Sequence, residues 1–300
     1  MPLSPAARQR GLFAFLCVVW GTTWLAMKTG TAEVPPGLFS GLRWSVAGAV
    51  LYAVLALRGE RVRVPPRLWG RVLLVSVLMI SLNAIIMLYG LRHVPSGLAA
   101  VISSALTPIA MIGFAAMMGQ ERFSARHLVA LAVGVAGVVV LFGPKAAVGS
   151  LDTAELLGVA GVVAGNLCYC FSSVLARPLM GTIPPVHLVA VTNLAGGLVL
   201  LAVALPFEPG ALHAARLGWS GAAWLAWWYL LLPASLGATI IYFRLVRDWG
   251  AGRTGSYAFV SPVVAVLVGI AIAGEAVTLP DLAGMAMMLG AAFLALRKPG

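Results

Sequence analysis

Apolar runs of roughly span length, broken by short polar joints, recur along the whole chain. Ten can be drawn, at 11–30, 36–57, 69–91, 96–118, 127–143, 155–176, 186–205, 219–245, 254–273 and 280–297. A membrane-spanning helix needs about 20 mostly apolar residues, and each run meets or approaches that length. The joints carry turn chemistry: VPPG at 34–37, GERVRVPPR at 59–67, GPK at 143–145, IPP at 183–185, LPFEPG at 205–210 and LPD at 279–281. The pattern predicts ten helices, called here spans 1 to 10.

The pattern also repeats. ALTPIAMIGFAAMMGQE at 105–121 has a counterpart in FVSPVVAVLVGIAIAGE at 259–275, each a hydroxyl residue, a proline and a glutamate thirteen positions later. An offset of 154 carries Thr107 to Ser261, Pro108 to Pro262 and Glu121 to Glu275. An offset of 149 relates the earlier spans of each half, pairing Lys28 with Arg177, Pro35 and Pro36 with Pro184 and Pro185, Gly48 with Gly197, and Trp20 and Trp24 with Tyr169 and Ser173. Five spans per repeat is an odd number, so the second repeat must be inserted upside down. The expected division is 1–145 and 146–300, with Glu121 and Glu275 on opposite sides. Inverted repeats characterise many secondary transporters, whose substrates bind near the midplane between the halves.

Composition fixes the solvent. The chain is 61% hydrophobic and 10% charged, with a mean hydropathy of +0.99. Soluble domains carry about 25% charged residues, so this chain lacks the material for a polar skin. The net charge of +11 does not point to nucleic acid, because the basic residues cluster at the ends of apolar runs. The N-terminus, the even-numbered joints and the C-terminus hold fifteen Lys and Arg, the opposite side four, and Arg43 lies within span 2. That asymmetry places both termini in the cytoplasm. The first run is too long for a signal-peptide core and lacks an A-x-A exit, so it reads as a retained span. Cys17, Cys168 and Cys170 lie within apolar runs and show no metal or disulfide spacing; they read as small packing residues. No metal or cofactor is expected.

These residues carry a resemblance. WGTTWLAMK at the end of span 1, LRW in span 2, TP…E over spans 4–5 and SP…E over spans 9–10 resemble the drug/metabolite transporter superfamily, and within it the ten-span EamA-type members built of two EamA repeats. The resemblance covers essentially the whole chain. It implies an all-α polytopic membrane protein, two inverted five-helix repeats around a central cavity. The chain looks most like bacterial inner-membrane amino-acid exporters of the YddG type, which implies export and an inner-membrane location.

A proline inside a helix frees the carbonyl four residues back, Ser104 for Pro108 and Ala258 for Pro262. In lipid such a group needs another partner. Each proline thus points to a packed or water-lined interior, with Thr107 and Ser261 as local donors, and serves as a fixed kink or as a hinge.

Polar groups within spans face the bundle or a cavity. The candidate substrate-binding residues are Trp20, Thr23 and Trp24 of span 1; Asn83 of span 3; Ser103 and Thr107 of span 4; Asn166, Tyr169 and Ser173 of span 6; and Tyr257 and Ser261 of span 9. Blander readings stand beside these. A lone Ser or Thr often bonds its own helix, and an Asn can simply glue helices. Trp219, Trp224 and Trp249 read as interfacial belt residues. Arg43 is expected to snorkel or to bond carbonyls at a helix end, with attraction of a substrate carboxylate as the alternative.

All nine acidic residues lie at or near span ends. A proton-coupled carrier usually keeps a titratable group inside the membrane, and the small multidrug antiporters that the superfamily resembles keep a glutamate in span 1; this span 1 has none. The expectation is a uniporter for small neutral or zwitterionic metabolites, amino acids such as Phe, Met and Thr, working by alternating access. Alternatives are a proton-coupled exporter of other metabolites or drugs, and a membrane-embedded enzyme. The enzyme reading is disfavoured because His93, His127, His187 and His213 are scattered at joints and no catalytic motif appears. The implied partners are a small-molecule substrate and the lipid bilayer; the sequence leaves the oligomeric state open.

Overall fold

The computed structural model describes residues 5–120, 125, 128–129, 132–137, 139–140, 152–239, 241–242, 245 and 257–296. The chain is built from helices that follow the apolar runs. Span 1 is Pro5–Glu33, span 2 Pro36–Leu57, span 4 Ser96–Met117, span 6 Thr153–Ala176, span 7 Pro185–Phe207, span 9 Tyr257–Ala273 and span 10 Leu279–Leu296. Six described helices are long and apolar enough to cross a membrane, and Val260–Ala273 and Leu279–Ala291 add shorter apolar segments. Of the expected span 5, residues 128–129, 132–137 and 139–140 are described, and all are helical.

Two spans depart from the pattern in the same way. Span 3 runs Trp69–Ser76, then a π-helical Val77–Leu82, then Asn83–Leu91. Span 8 runs Gly221–Tyr229 and continues as a π-helical Leu230–Ala238 around Pro233. The 154 offset superposes these two segments. π-Helical turns are rare and concentrate at functional sites, because the wider ladder re-aims side chains and loosens backbone pairing.

The inversion is legible in which ends meet. At one end Lys28, Ser96 and Glu275 converge; at the other Glu60 meets His187 and Arg71 donates to the Leu175 carbonyl. Span 1 therefore ends where span 9 ends, while span 6, its repeat counterpart, ends at the opposite face. Span 4 starts beside Glu275 and runs away from it for 22 residues, about 33 Å. Glu121 lies outside the described residues.

The pseudo-two-fold also shows in atomic contacts. Spans 2 and 7 cross so closely that a Cβ at Gly48 would lie 2.4 Å from the Leu194 amide nitrogen, and a Cβ at Gly197 would lie 2.4 Å from that of Ser45. The 149 offset turns the first contact into the second. Likewise Gly21 of span 1 abuts the Ser261 carbonyl, where a Cβ would stand at 2.7 Å, while its counterpart Cys170 of span 6 directs its Sγ to the Thr107 carbonyl at 3.8 Å. Small residues at such crossings let backbones approach, which is how helices pack where lipid removes the hydrophobic drive. Exposed Phe15, Val18, Leu198, Val203, Leu267 and Phe293 stud the outer surface, as a lipid-facing boundary requires.

Candidate functional site

Three polar side chains bridge spans 4 and 6. Ser103 Oγ lies 3.0 Å and Thr107 Oγ1 3.2 Å from Asn166 Oδ1. Asn166 Nδ2 lies 3.2 Å from the Ser103 carbonyl and 3.1 Å from Thr107 Oγ1. An amide offers both donors and acceptors, and this one uses both sides while buried. The cluster ties the second repeat to the first beside the Pro108 position.

Pro108 lies inside the span 4 helix and Pro262 inside span 9, where it is buried. The expectation that Thr107 serves the carbonyl freed by Pro108 is corrected. Its hydroxyl reaches the Ser103 carbonyl at 2.7 Å, one residue before Ser104. The i−4 geometry of a threonine selects that oxygen whether or not a proline follows.

The symmetry-related junction, of span 1 with spans 8 and 9, carries an aromatic cluster instead. Trp20 packs edge-on to Tyr257 at 4.6 Å between centroids and tilted against Tyr242 at 5.2 Å, and the two tyrosines stand 5.9 Å apart. Tyr169, the repeat counterpart of Trp20, lies close to Tyr242 and Tyr257 and is 37% exposed in the second half of span 6. Ser261 is buried against span 1. The Thr22 and Tyr229 hydroxyls share a hydrogen bond, linking spans 1 and 8.

Other candidates take the blander roles. Thr23 donates to the Trp20 carbonyl and Ser173 to that of Tyr169, each within its own helix. Trp24 is half-buried against the core of spans 3, 4 and 6. Asn83 sits at the end of the π segment, its Nδ2 bonded to the Met79 carbonyl and its buried Oδ1 without a protein partner. Trp219 is not a simple belt residue. It is buried, donates from Nε1 to the Ala214 carbonyl at 2.7 Å and stacks on Trp224 at 4.6 Å. Trp249 lies outside the described residues.

Sequence reasoning missed the carboxylates' structural use. Glu275 accepts from the Ser96 amide and hydroxyl, both at 2.8 Å, from the Gly97 amide at 3.3 Å, and from Lys28 Nζ at 3.4 Å. Glu208 accepts from the Gly37 and Leu38 amides at 2.9 Å and from the Tyr89 hydroxyl at 2.8 Å. Each covers orphan N–H groups at the positive start of a first-repeat helix. Burial works to raise the Glu275 pKa, but the Ser96 and Gly97 donors and Lys28 outweigh it and hold the carboxyl below its ordinary range. Glu33 likewise accepts from the Ser220 amide at 2.8 Å. These three carboxylates thus stitch four joints together at one end. Beneath Glu275 lies a small cavity of about 70 Å³, lined by Pro95, Leu98, Val266 and Met285. Arg43 does not snorkel: it is 6% exposed and bonds Ser235 of span 8.

The EamA-like transporter model matches residues 10–143 and again 156–297, covering both halves in register with the two repeats. The chain belongs to the EamA-like transporter family. Relatives of this EamA chain include the uncharacterized inner membrane transporter YedA of Escherichia coli K12, 31% identical over 88% of this chain and 82% of that one. The uncharacterized transporter YvbV of Bacillus subtilis is 24% identical over 95% and 90% of the two chains. A crystal structure aligned over 96% of both chains, at 24% identity and a TM-score of 0.66, shares the fold. The EamA chain is a multi-pass membrane transporter, and YedA and YvbV both carry transporter names.

Proposed function

We propose that this EamA transporter moves small neutral or zwitterionic metabolites, foremost amino acids such as phenylalanine, methionine and threonine, by alternating access as a uniporter. The observation that supports this reading is the pair of clusters where the repeats meet: an uncharged amide–hydroxyl cluster at Asn166, Ser103 and Thr107, and aromatic side chains at Trp20, Tyr242 and Tyr257, with Tyr169 beside them. Aromatic faces attract an ammonium group and apolar side chains alike. Neutral hydrogen-bonding groups can orient a zwitterion without demanding a net charge. The basic residues favour cytoplasmic termini, which puts the Glu275 end on the far side of the inner membrane. Export as the physiological direction follows the resemblance to amino-acid exporters. The expected halves remain 1–145 and 146–300, with Pro108 and Pro262 as the bending points.

The test is flux in proteoliposomes. Purified protein should equilibrate labelled phenylalanine or methionine without an imposed proton gradient, and Trp20→Ala should lower that flux at least about tenfold, a loss of about 1.4 kcal/mol. Flux that occurs only with a proton gradient refutes uniport. Absence of flux for all neutral amino acids refutes the substrate class.

A further inference from the structure

Arg43 is a full charge placed where a neutral residue suffices. Its guanidinium lies 4.1 Å above the Trp44 ring centroid and donates from Nη1 to Ser235 Oγ at 3.0 Å. Among the described residues its Nε is buried without a partner, and so is Ser40 Oγ one turn earlier on the same helix. Among the described residues no carboxylate pairs with it. A cation inside a membrane span costs free energy and normally finds a counter-charge.

The other repeat shows that the helix crossing does not require this charge. The 149 offset carries Arg43 to Thr192, and the 154 offset carries Ser235 back to Ser81. There Ser81 donates to the Gly196 carbonyl at 2.8 Å, and Thr192 bonds its own helix at the Val189 carbonyl. The same π segment thus meets the same partner helix through neutral groups alone. The fold solves this junction twice and charges it once.

We infer that Arg43, with Ser40 and Ser235 beside it, is a binding site for a carboxylate, that of the transported solute. A guanidinium presents Nε and an adjoining Nη as a two-bond fork that matches a carboxylate. Nη1 is already engaged by Ser235, which leaves the Nε edge to take the anion, and Ser40 adds a hydroxyl donor nearby. Ser235 lies in the π-helical part of span 8, seven residues before Tyr242, which packs on Trp20. Span 8 therefore connects the anion site to the aromatic wall. This inference rests on the proposed amino-acid substrate, and it assigns the end of the molecule that Arg43 would hold.

Thermal unfolding of the purified transporter in detergent tests the site without transport. Sodium acetate and L-phenylalanine should raise the melting temperature; L-phenylalaninamide and sodium chloride at equal ionic strength should not. Arg43→Gln should abolish the acetate and phenylalanine shifts. Arg43→Lys keeps the charge without the fork; it should fold normally and show shifts at about tenfold higher ligand concentration. In proteoliposomes Arg43→Lys should raise KM for phenylalanine with kcat little changed. Equal stabilisation by chloride and acetate would make this a site for an inorganic counter-ion only and overturn the inference. So would an Arg43→Lys variant that responds to phenylalanine and to its amide alike. An intact acetate shift without amino-acid flux would refute the proposed function and leave the anion site standing, while flux with no carboxylate shift would do the reverse.

Discussion

Glu275 offers the sharpest perturbation, because four donors from two other segments converge on one carboxylate whose side chain is 11% exposed. Glu275→Gln keeps the shape, removes the charge and turns one acceptor into a donor facing Ser96 or Lys28. Hydrogen bonds to a charged group contribute about 1.5–3 kcal/mol each, and at least one is lost outright. The stitched end should therefore open about ten- to a hundredfold more often. The assay is maleimide labelling of Leu98→Cys, which lines the cavity under Glu275, with Cys17, Cys168 and Cys170 replaced by alanine. Labelling should accelerate by that factor in Glu275→Gln. The pH dependence has a definite sign. The Glu275 pKa in the folded protein lies below its ordinary 4.5, so its contribution is fully present above about 4.5 and is lost as pH falls through the lower folded value. Because maleimide reacts with the thiolate, the rate is taken as a ratio to that of a fully exposed control cysteine at the same pH; that ratio should be flat from neutral pH down to about 5 and rise only below 4.5. Unchanged labelling in Glu275→Gln, or a rise already near neutral pH, would refute the reasoning.

Three further perturbations probe the frame. Gly48→Ala puts a methyl group 2.4 Å from the Leu194 amide; it should lower the melting temperature and the monodisperse yield, and a wild-type chromatogram would disprove the close crossing. Gly113→Ala, in span 4 with nothing within 4 Å of its added Cβ, should instead stabilise by about 1 kcal/mol through helix propensity, read as a higher melting temperature. Glu208→Gln should destabilise the start of span 2, and Tyr89→Phe should add little to it because the two share one hydrogen bond; additive losses in the double variant would deny that link.

The helices were legible because lipid imposes a length, and proline-rich joints mark where each run stops. The inversion was legible because five spans is an odd number and because the Thr/Ser–Pro pairs recur in order. The π segments were not: Val77–Leu82 contains nothing that separates it from an α-helix, and Pro233 marks only one of the pair. The uses of Glu208 and Glu275 were hidden for another reason. Each bonds helix starts 170 or more residues away in sequence, and local patterning carries no information about such distant partners. Arg43 was misjudged because a long side chain near a helix start usually reaches water, and only the packing of span 8 shows that it does not.

Where the repeats agree, they build the frame; where they differ, they build the lining. Gly48 and Gly197 make one contact twice, whereas Asn166 corresponds by the 149 offset to Cys17, and Ser103 by the 154 offset to Tyr257. The junction of spans 4 and 6 thus carries an amide among hydroxyls, and that of spans 1 and 9 a buried thiol and edge-on rings. If that difference serves the substrate rather than the fold, making the halves more alike should harm transport beyond its effect on stability. Asn166→Cys installs the residue that span 1 already buries at its equivalent position. It removes the contacts to Ser103 and Thr107 and leaves the Thr107 hydroxyl its bond to the Ser103 carbonyl within span 4, so the stability loss should stay within about 1–3 kcal/mol. Flux of phenylalanine should fall far more than the folded fraction does, with KM rising. Flux that tracks the folded fraction alone would show that Asn166 only fastens span 4 to span 6, and the amide cluster would lose its claim to the substrate.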